Sequence, residues 1–207
     1  MEESAQASHW RKVWERSVPE RVSWYQIRPD TSLALLETAG IGHSDGIVDV
    51  GGGASNLVDH LLETGFKDVA VLDISPAALH RARTRLGEAG KKVEWIEADL
   101  VRFVPGRTWD VWHDRAVFHF LTEADDRAAY RETLVRSLAV GGHAILATFG
   151  PDGPTRCSGL DTCRYSAEGL RGELGPGFRL EETRLKIHRT PAGSEQQFLY
   201  VLLQRSA

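Results

Sequence analysis

The chain has 207 residues, of which 42% are hydrophobic and 26% are charged, and its formal net charge is −4. This length suits one α/β domain and leaves little room for a separate substrate domain. The acidic balance, together with the lack of a stripe rich in Lys and Arg, argues against a nucleic-acid partner.

Two further absences limit the class of protein. The sequence contains neither an apolar run long enough to span a membrane nor a signal peptide, so we expect a cytoplasmic protein with no membrane partner. Its two cysteines, Cys157 and Cys163, are too few for a secreted disulfide scaffold, and no spacing of His and Cys indicates a metal site. We favour two inert thiols over the alternative, a site for a soft metalloid.

Strand and helix signals alternate from residue 30 to residue 150, which predicts a parallel sheet covered by helices on both faces. We predict helices over 8–16, 30–40, 55–65, 75–90, 122–140 and 166–174. We predict strands over 46–50, 68–72, 93–97, 109–113, 143–149, 178–188 and 196–204, with a loop over 150–164. The turn chemistry of Arg189-Thr-Pro-Ala-Gly193 joins the last two strands as an antiparallel hairpin.

Three of the helices have recognisable start signals. Asp30 is a predicted N-cap, and Ser75 followed by Pro76 is another. Thr122, with Asp125 three residues later, resembles a capping box in which Asp replaces Glu.

Residues 1–29 are predicted to form an N-terminal helix and a lid segment. Trp10 and Trp14 lie on one face of the helix, where we expect them to pack. Trp24 and Tyr25 follow in the loop, and two interpretations of them stay open. They either cover a bound cation through their aromatic faces, or they fasten the helix to the sheet.

The most informative run is Ile47-Val-Asp-Val-Gly-Gly-Gly-Ala-Ser55. A short apolar run leads into three glycines, which let the main chain approach a ligand closely and adopt positive φ angles. A second apolar run ends at Asp73, about twenty residues further on, where a carboxylate accepts hydrogen bonds from two ribose hydroxyls in nucleotide-binding sheets. This spacing predicts a site for an adenosyl group.

The glycine pattern departs from the dinucleotide fingerprint Gly-x-Gly-x-x-Gly. Gly51 and Gly53 supply its first two glycines, but Asn56 occupies the position of the third. With Asp49 the run instead reads Asp-x-Gly-x-Gly-x-Ser. A dinucleotide-binding enzyme and a tight turn without any ligand are the alternatives.

With these landmarks in order, residues 24–205 resemble a class I S-adenosylmethionine (SAM)-dependent methyltransferase. The resemblance implies an α/β fold with a Rossmann-like, seven-stranded, mostly parallel sheet, helices on both faces and an antiparallel C-terminal hairpin strand, over residues 30–207. Within that family, the chain is similar to a subgroup that contains the lysine methyltransferases of citrate synthase and of an elongation factor, together with their bacterial relatives. We expect the cofactor, SAM, to contact Trp24, Tyr25, Asp49, Gly51, Gly52, Gly53, Ser55, Asp73, Ile74, Asp99, Leu100 and Asp114.

The same resemblance assigns roles near the reacting methyl group. Asp73 would hold the ribose diol and Asp99 the adenine amine. The catalytic candidates come from the segment after the fourth strand, and they are His113, Asp114, Arg115 and His119. Asp114 would bind the cofactor's amino group or orient an acceptor amine, and Arg115 would pair with it or bind an anionic acceptor. His119 is as consistent with a packed, hydrogen-bonded histidine as with a catalytic one.

The predicted function is transfer of the SAM methyl group, by in-line displacement, to a small molecule or to a lysine side chain of a protein. A general base is required only for an acceptor that arrives protonated. An NAD(P)-dependent oxidoreductase and a non-catalytic SAM-binding module are the alternatives. The sequence leaves the acceptor open among amines, thiols, carboxylates, metalloids and protein lysine, and it leaves the protein a monomer or a homodimer.

Overall fold

The centre of the structure is a sheet whose strands are short runs of buried apolar residues. In the computed structural model, which describes residues 5–206, seven strands form this sheet and two more form a small hairpin. The strands are β1 Ile47–Val50, β2 Val69–Asp73, β3 Val93–Glu97, β4 Trp109–Arg115, β5 Leu138–Phe149, β6 Arg156–Cys157, β7 Leu160–Asp161, β8 Phe178–Arg189 and β9 Glu195–Arg205. The helices are α1 Ala5–Arg16, α2 Asp30–Thr38, α3 Leu57–Thr64, α4 Pro76–Leu86, α5 Ala124–Ser137 and α6 Ala167–Leu174.

The strand order of the sheet is β3-β2-β1-β4-β5-β9-β8. Strand β1 pairs in parallel with β2 and β4, β2 pairs in parallel with β3, and β4 with β5. Strand β9 runs antiparallel to both β5 and β8, and a hairpin turn joins β8 directly to β9. The predicted mostly parallel sheet with a C-terminal hairpin is therefore confirmed.

Alternation of side chains along the strands divides the core into two layers. Val48 of β1 faces the layer that contains Leu134 of α5, and α6 packs there too. Its neighbour Ile47 faces the opposite layer, which contains Leu61 of α3 together with residues of α2 and α4. Helices thus cover both faces of the sheet, as predicted. None of the described helices combines the length and the apolar character needed to cross a membrane.

The helix predicted over residues 122–140 is too long at its C-terminal end. Helix α5 ends at Ser137 rather than at residue 140, and β5 begins at Leu138 rather than at residue 143. Leu138 is fully buried and pairs with Trp109 of β4 across an irregularity in the register. The guanidinium of Arg205 also donates to the carbonyl oxygen of Leu138. A tertiary partner therefore ends the helix at a place where the local sequence shows no stop.

Ser75 caps α4 as predicted, because its Oγ accepts a hydrogen bond from the backbone N–H of Ala78 at 3.4 Å. The prediction for Asp30 is wrong. Pro29 occupies the cap position of α2, and the Asp30 carboxylate pairs with Arg28 at 2.5 Å. Asp30 still lies in the first turn, where a negative charge is favourable to the helix dipole.

The predicted capping box is also wrong. Helix α5 begins at Ala124, and the preceding Glu123 makes no side-chain cap. The Oγ1 of Thr122 lies 3.5 Å from the carboxylate of Glu123 instead. Helix α3 begins at Leu57, two residues later than predicted, because the Oγ of Ser55 accepts from the N–H of Leu57 just ahead of the helix.

Candidate cofactor and acceptor site

The carboxyl ends of β1 to β5 and the start of β9 lie at one edge of the sheet, where they line a cavity. The empty space at this edge is about 920 Å³, a volume that includes the solvent at its open mouth. Asp73, Ile74, Asp99 and Leu100 line the part that follows β2 and β3, which we call the β2–β3 end.

The opposite part of the cavity lies beyond β4 and β5. We call it the aromatic end, and it is defined by Trp10, Trp24, Phe120, Phe149 and Phe198. A second, narrower space of about 590 Å³ separates the glycine turn from the N-terminal loop. The two spaces share Gly51, Trp24 and Arg115, so they meet at the centre of the site.

The glycine turn after β1 tolerates no side chains. Gly51 and Gly53 have φ angles of 64° and 38°, a region that L side chains rarely adopt. A Cβ on Gly52 would lie 2.5 Å from Asp49 Oδ2, and one on Gly53 would lie 2.6 Å from Asp73 Oδ2. The run of glycines therefore serves the close approach of two carboxylates, which the sequence did not show.

Asp73 ends β2 beside this turn and is 7% exposed. Its Oδ1 accepts a hydrogen bond from the N–H of Ser75 at 2.7 Å. Burial, with a smaller contribution from the nearby carboxylate of Asp49, raises the pKa of Asp73 to about 7. Asp99 follows β3, and its Oδ1 accepts from the N–H of Val101 at 3.3 Å. Both carboxyl groups line the β2–β3 end, as the parallel register predicts.

His113 lies between the sheet and α2 rather than facing the aromatic end. Its Nδ1 lies 2.7 Å from Asp49 Oδ1, and its Nε2 lies 2.8 Å from Ser32 Oγ. All three side chains are buried. Asp49 and His113 are register partners on β1 and β4, so their side chains share one face of the sheet. Because both ring nitrogens are occupied, the geometry does not support His113 as a catalytic group at the methyl.

Asp49 keeps one free position in this arrangement. Its Oδ2 is buried and has no hydrogen-bond partner among the residues that the structure describes. Together with Tyr25, Gly52 and Ser55, Asp49 lines the narrower space beside the glycine turn. These four predicted cofactor contacts therefore line one space, whereas Gly53 lies against the carboxylate of Asp73.

Asp114 points to the opposite face of the sheet and is completely buried. Its Oδ2 accepts from the hydroxyl of Tyr130 at 2.7 Å, and its Oδ1 accepts from the backbone N–H of Val117 at 3.0 Å and of Phe118 at 3.4 Å. The indole N–H of Trp112 donates in turn to the Tyr130 hydroxyl. Burial raises the pKa of Asp114 to about 6. These contacts do not support Asp114 as a ligand of the cofactor or the acceptor; it fixes the turn after β4.

Arg115, the last residue of β4, reaches the centre of the site. Its Nε donates to the hydroxyl of Tyr200 at 3.0 Å, and one Nη donates to the carbonyl oxygen of Trp24 at 2.8 Å. The guanidinium carbon lies 4.7 Å from the ring centroid of Phe198. Its other nitrogen, Nη2, is buried without a partner in the described chain. Arg115 thus joins β4, β9 and the N-terminal loop while keeping one donor free.

His119 is fully buried at the aromatic end. Its Nδ1 accepts from the backbone N–H of Phe149 at 3.2 Å, so in the neutral ring the hydrogen is on Nε2. That Nε2 has no partner among the described residues. Burial lowers the pKa of His119 to about 3, and the positive charge of Arg115 contributes. His119 is therefore a neutral hydrogen-bond donor and not a general base.

Trp24 packs edge-to-face against Trp10 and Trp14, with ring centroids 5.8 and 6.0 Å apart. Trp24 therefore fastens α1 and also lines the cavity, so its proposed contact with a bound cation stays a prediction. The side-chain amide of Asn56 holds the same loop by donating to the carbonyl oxygens of Gln26 and Ile27. The residue that breaks the dinucleotide fingerprint thus anchors the N-terminal segment.

The sequence analysis assigned no cofactor or catalytic role to several residues of the aromatic end. Trp10 was predicted only to pack, and Gln196 and Phe198 were predicted only as strand residues, yet all three line the cavity. Cys157 lines it as well, with Ser23 Oγ 3.8 Å from its Sγ, while Cys163 Sγ lies 4.0 Å from the carbonyl oxygen of Leu121. The one available signal was that the antiparallel β9 starts at the edge where the parallel strands end. No cluster of three metal-ligating side chains occurs within residues 5–206.

Comparison with known proteins agrees with this geometry. A family described as a methyltransferase domain matches residues 48–144. The chain is 23% identical over 152 residues to the eEF1A lysine and N-terminal methyltransferase of Mus musculus. That alignment covers 69% of this chain and 21% of the mouse protein, so the chain spans about a fifth of the length of that relative.

Solved structures show the same fold. A SAM-dependent methyltransferase from Anabaena variabilis superposes with a TM-score of 0.76 at 16% identity, over 98% of this chain and 96% of that one. The N-methyltransferase NodS of Bradyrhizobium japonicum, in complex with S-adenosylhomocysteine, gives 0.74 at 18% identity, over 95% and 98%. Residues 48–144 therefore match a methyltransferase domain, and the fold is the one seen in these solved SAM-dependent methyltransferase structures.

The position of Asp114 generates a stability prediction. Asp114→Ala leaves the hydroxyl of Tyr130 and two backbone N–H groups without an acceptor, so we expect a loss of about 3 kcal/mol in the free energy of unfolding. Tyr130→Phe removes one of these contacts, and we expect a loss of about 1–2 kcal/mol. Urea titration of both variants measures this. Unchanged stability in Asp114→Ala, combined with lost ligand binding, would show that Asp114 serves the ligand instead.

The environment of His119 generates a second prediction. We expect its ring to stay neutral, with hydrogen on Nε2, throughout the range from pH 5 to pH 8, because its pKa is lowered to about 3. Nitrogen-15 NMR of the imidazole reports this directly, and loss of the signals in His119→Asn assigns them. Since the unfolded state binds this proton near pH 6.5, His119 lowers stability as pH falls from there toward 3. A ring that titrates near neutrality contradicts the assignment.

Proposed function

We propose that this protein transfers the methyl group of SAM to a nucleophile bound at the aromatic end. The observation that carries the proposal is the continuity of one cavity along the carboxyl edge of the sheet. Two carboxyl groups suited to an adenosyl group lie at its β2–β3 end. Free hydrogen-bonding groups of Arg115 and His119 lie toward the aromatic end, away from these carboxyl groups.

The β2–β3 end fits an adenosyl group. We propose that Asp73 accepts hydrogen bonds from the ribose hydroxyls and that Asp99 accepts one from the adenine amine, while the backbone of Leu100 contacts the base. The glycine turn supports this, because side chains there would collide with Asp49 and Asp73. We propose that the narrower space, with the free Asp49 Oδ2, holds the amino-acid portion of the cofactor.

When bound, SAM supplies a methyl group already activated on a sulfonium, so the chain has no bond to activate. The task of the protein is to orient the acceptor and to exclude water. Orientation of reacting groups contributes about 7–11 kcal/mol in favourable cases. We propose that the ring walls of the aromatic end provide it, because they are rigid: the rings of His119 and Phe149 lie 4.3 Å apart, and those of Phe149 and Phe198 lie 4.9 Å apart.

We propose that residues 1–29 act as a lid over the domain formed by residues 30–207. Helix α1 places Trp10 and Trp14 in the cavity lining, and Arg115 holds the loop through the carbonyl oxygen of Trp24. Residues 1–4 of this segment lie outside the described residues. The lid joins the cofactor and acceptor parts of the site, so its closure would serve both.

The proposal includes the setting of the enzyme. We propose a cytoplasmic protein, monomeric or homodimeric, that acts without nucleic acid or membrane, on a small molecule or on a protein lysine. Both cysteines are unpaired in the structure, which accords with a reducing compartment. A dinucleotide oxidoreductase is disfavoured, since Asn56 anchors the N-terminal loop where the third glycine would stand.

Calorimetric titration with SAM and with NADH tests the function. We expect SAM and S-adenosylhomocysteine to bind and NADH not to bind. Incubation with methyl-labelled SAM and a cell extract then tests turnover, and we expect S-adenosylhomocysteine to accumulate only when extract is present. Binding without any turnover would indicate the non-catalytic module.

The raised pKa of Asp73 generates a prediction about cofactor affinity. The ionised carboxylate accepts from the ribose hydroxyls, so protonation competes with binding. The pKa of Asp73 is about 7 in the protein without ligand. We therefore expect the affinity for S-adenosylhomocysteine to fall as pH drops below 7, by at most about tenfold per pH unit. Calorimetry from pH 5.5 to pH 8 measures it.

Asp73→Asn is the matched variant, because it keeps the shape of the side chain and cannot titrate. We expect weaker binding at pH 8 and no dependence on pH below 7. Persistence of the full pH dependence in Asp73→Asn would move the titration to another group, such as Asp114, and would remove the ribose assignment.

The double role of Trp24 generates a further prediction. We expect Trp24→Ala to lower SAM turnover by about tenfold or more while costing less stability than loss of a fully buried core aromatic, which is about 3–5 kcal/mol. Trp95→Ala is the control, since Trp95 is partly buried and does not line the cavity. A large drop in melting temperature with normal turnover in Trp24→Ala would assign it to packing alone.

A further inference from the structure

The aromatic end is a ring-lined pocket of the cavity rather than a flat surface. Trp10 covers it from α1, with its ring centroid 5.1 Å from that of Phe120. Phe149 and Phe198 form the opposite wall from β5 and β9. Walls of this kind accept a flat or apolar body of modest size, because they offer contact area and few hydrogen-bonding groups.

Three polar atoms interrupt these apolar walls. Arg115 Nη2, His119 Nε2 and Gln196 Oε1 are each buried, and each is without a hydrogen-bond partner in the described part of the chain. All three residues line the same cavity. A buried polar group without a partner costs about 1–3 kcal/mol. Two donors and one acceptor left free in one cavity are therefore best explained by a ligand that supplies their partners.

The electrostatic balance at this end is positive. The contacts of Arg115 are a carbonyl oxygen, a hydroxyl and a ring face, and none of these carries a full negative charge. In the part of the chain that the structure describes, the acidic residues of the lining are Asp73 and Asp99, both at the β2–β3 end. The charge of Arg115 contributes to lowering the pKa of His119 and of His188, after the larger effect of burial. The Nη2 of Arg115 is buried and has no carboxylate partner among the described residues, and the anion of a ligand would supply one.

Among the described residues, no carboxylate lines the aromatic end. His119 lines it, but its Nδ1 lone pair accepts from Phe149 N–H and its Nε2 carries hydrogen. His188 does not line the cavity, and its Nε2 lies 2.8 Å from the carbonyl oxygen of Ser23. An ammonium acceptor would thus meet a fixed cation and no base.

We infer that the acceptor is a small molecule that presents an already deprotonated nucleophile, a thiolate or a carboxylate, and not the ammonium group of a lysine side chain. This inference rests on the proposed methyl transfer. The nucleophile's lone pair forms the new bond to the methyl carbon, the bond from that carbon to sulfur breaks, and its electron pair goes to sulfur. The products are the methyl thioether or ester and S-adenosylhomocysteine, and no proton is transferred. Arg115 and His119 hold the anion in place.

The test is binding of matched probes to the full chain saturated with S-adenosylhomocysteine. Benzoate, thiophenolate and benzylammonium share one ring and differ in the charged group. By calorimetry near neutral pH we expect the better anion to bind about tenfold or more tightly than the cation, as hydrogen bonds to charged groups require. The preferred anion distinguishes carboxylate from thiolate. Equal or tighter binding of benzylammonium, or no binding of either anion, overturns the inference.

Gln196→Glu provides the variant, since it adds a carboxylate at the aromatic end with little change in shape. We expect it to remove the preference for the anion, a change of about tenfold or more. Gln204→Glu is the control: Gln204 lies on the same strand, at the opposite edge of the sheet, beside Arg179. We expect Gln204→Glu to keep the wild-type preference. An unchanged preference in Gln196→Glu overturns the inference.

A competing assignment is that Arg115 binds the carboxylate of the cofactor itself. Arg115→Gln separates the two, using 5′-methylthioadenosine, which lacks that carboxylate, beside S-adenosylhomocysteine. Because Arg115 also holds the N-terminal loop, we expect both nucleosides to lose affinity by a similar factor, and we expect the anion preference to be lost. Weaker binding of S-adenosylhomocysteine alone, with the preference intact, overturns the inference. Failure of the wild type to bind S-adenosylhomocysteine would instead contradict the proposed function.

Discussion

Parallel pairing of β1 with β2 and β4 is the constraint on which the site depends. These pairings align the ends of the three strands, so the glycine turn, Asp73 and Arg115 emerge at one edge of the sheet. The same pairing places Asp49 beside His113 on one face, where their 2.7 Å contact links the two central strands. A slip of one residue would send each of these side chains to the other face.

Alternation along the end of β4 then divides three consecutive polar residues among three tasks. His113 points toward α2 and joins a buried network, Asp114 points toward α5 and accepts from Tyr130, and Arg115 extends beyond the sheet into the site. Their adjacency in sequence suggested one catalytic cluster. The pleat of the strand separates them, and only Arg115 keeps a free hydrogen-bonding group at the cavity.

Charged groups are distributed unevenly along the cavity, so its two ends suit different chemical groups. Carboxyl groups lie at the β2–β3 end, where hydroxyl and amine donors of an adenosyl group would meet them. A cation and a neutral imidazole lie at the aromatic end. Arg115 also stabilises this arrangement, because it donates to the carbonyl oxygen of Trp24 in the N-terminal loop and to the hydroxyl of Tyr200 on β9. One guanidinium therefore connects the N-terminal loop, β4 and β9.

Several parts of this protein follow from the sequence alone. Short apolar runs separated by helix signals predict the strands of the sheet. The glycines followed by Asp73 predict the edge of the sheet that binds the cofactor. Both predictions depend only on local pattern and spacing. The predicted end of α5 was wrong, however, because Leu138 pairs with the distant Trp109 and so ends the helix earlier.

The acceptor end depends on tertiary structure. Trp10, Gln196 and Phe198 come from opposite ends of the chain, and no spacing in sequence shows that they share a cavity with His119. Whether a polar side chain is satisfied or free is a property of its neighbours in space. The sequence pattern by itself therefore indicated the kind of cofactor, whereas only the folded arrangement, by leaving Arg115 Nη2 without a partner in the described chain, supports the inference of an anionic acceptor.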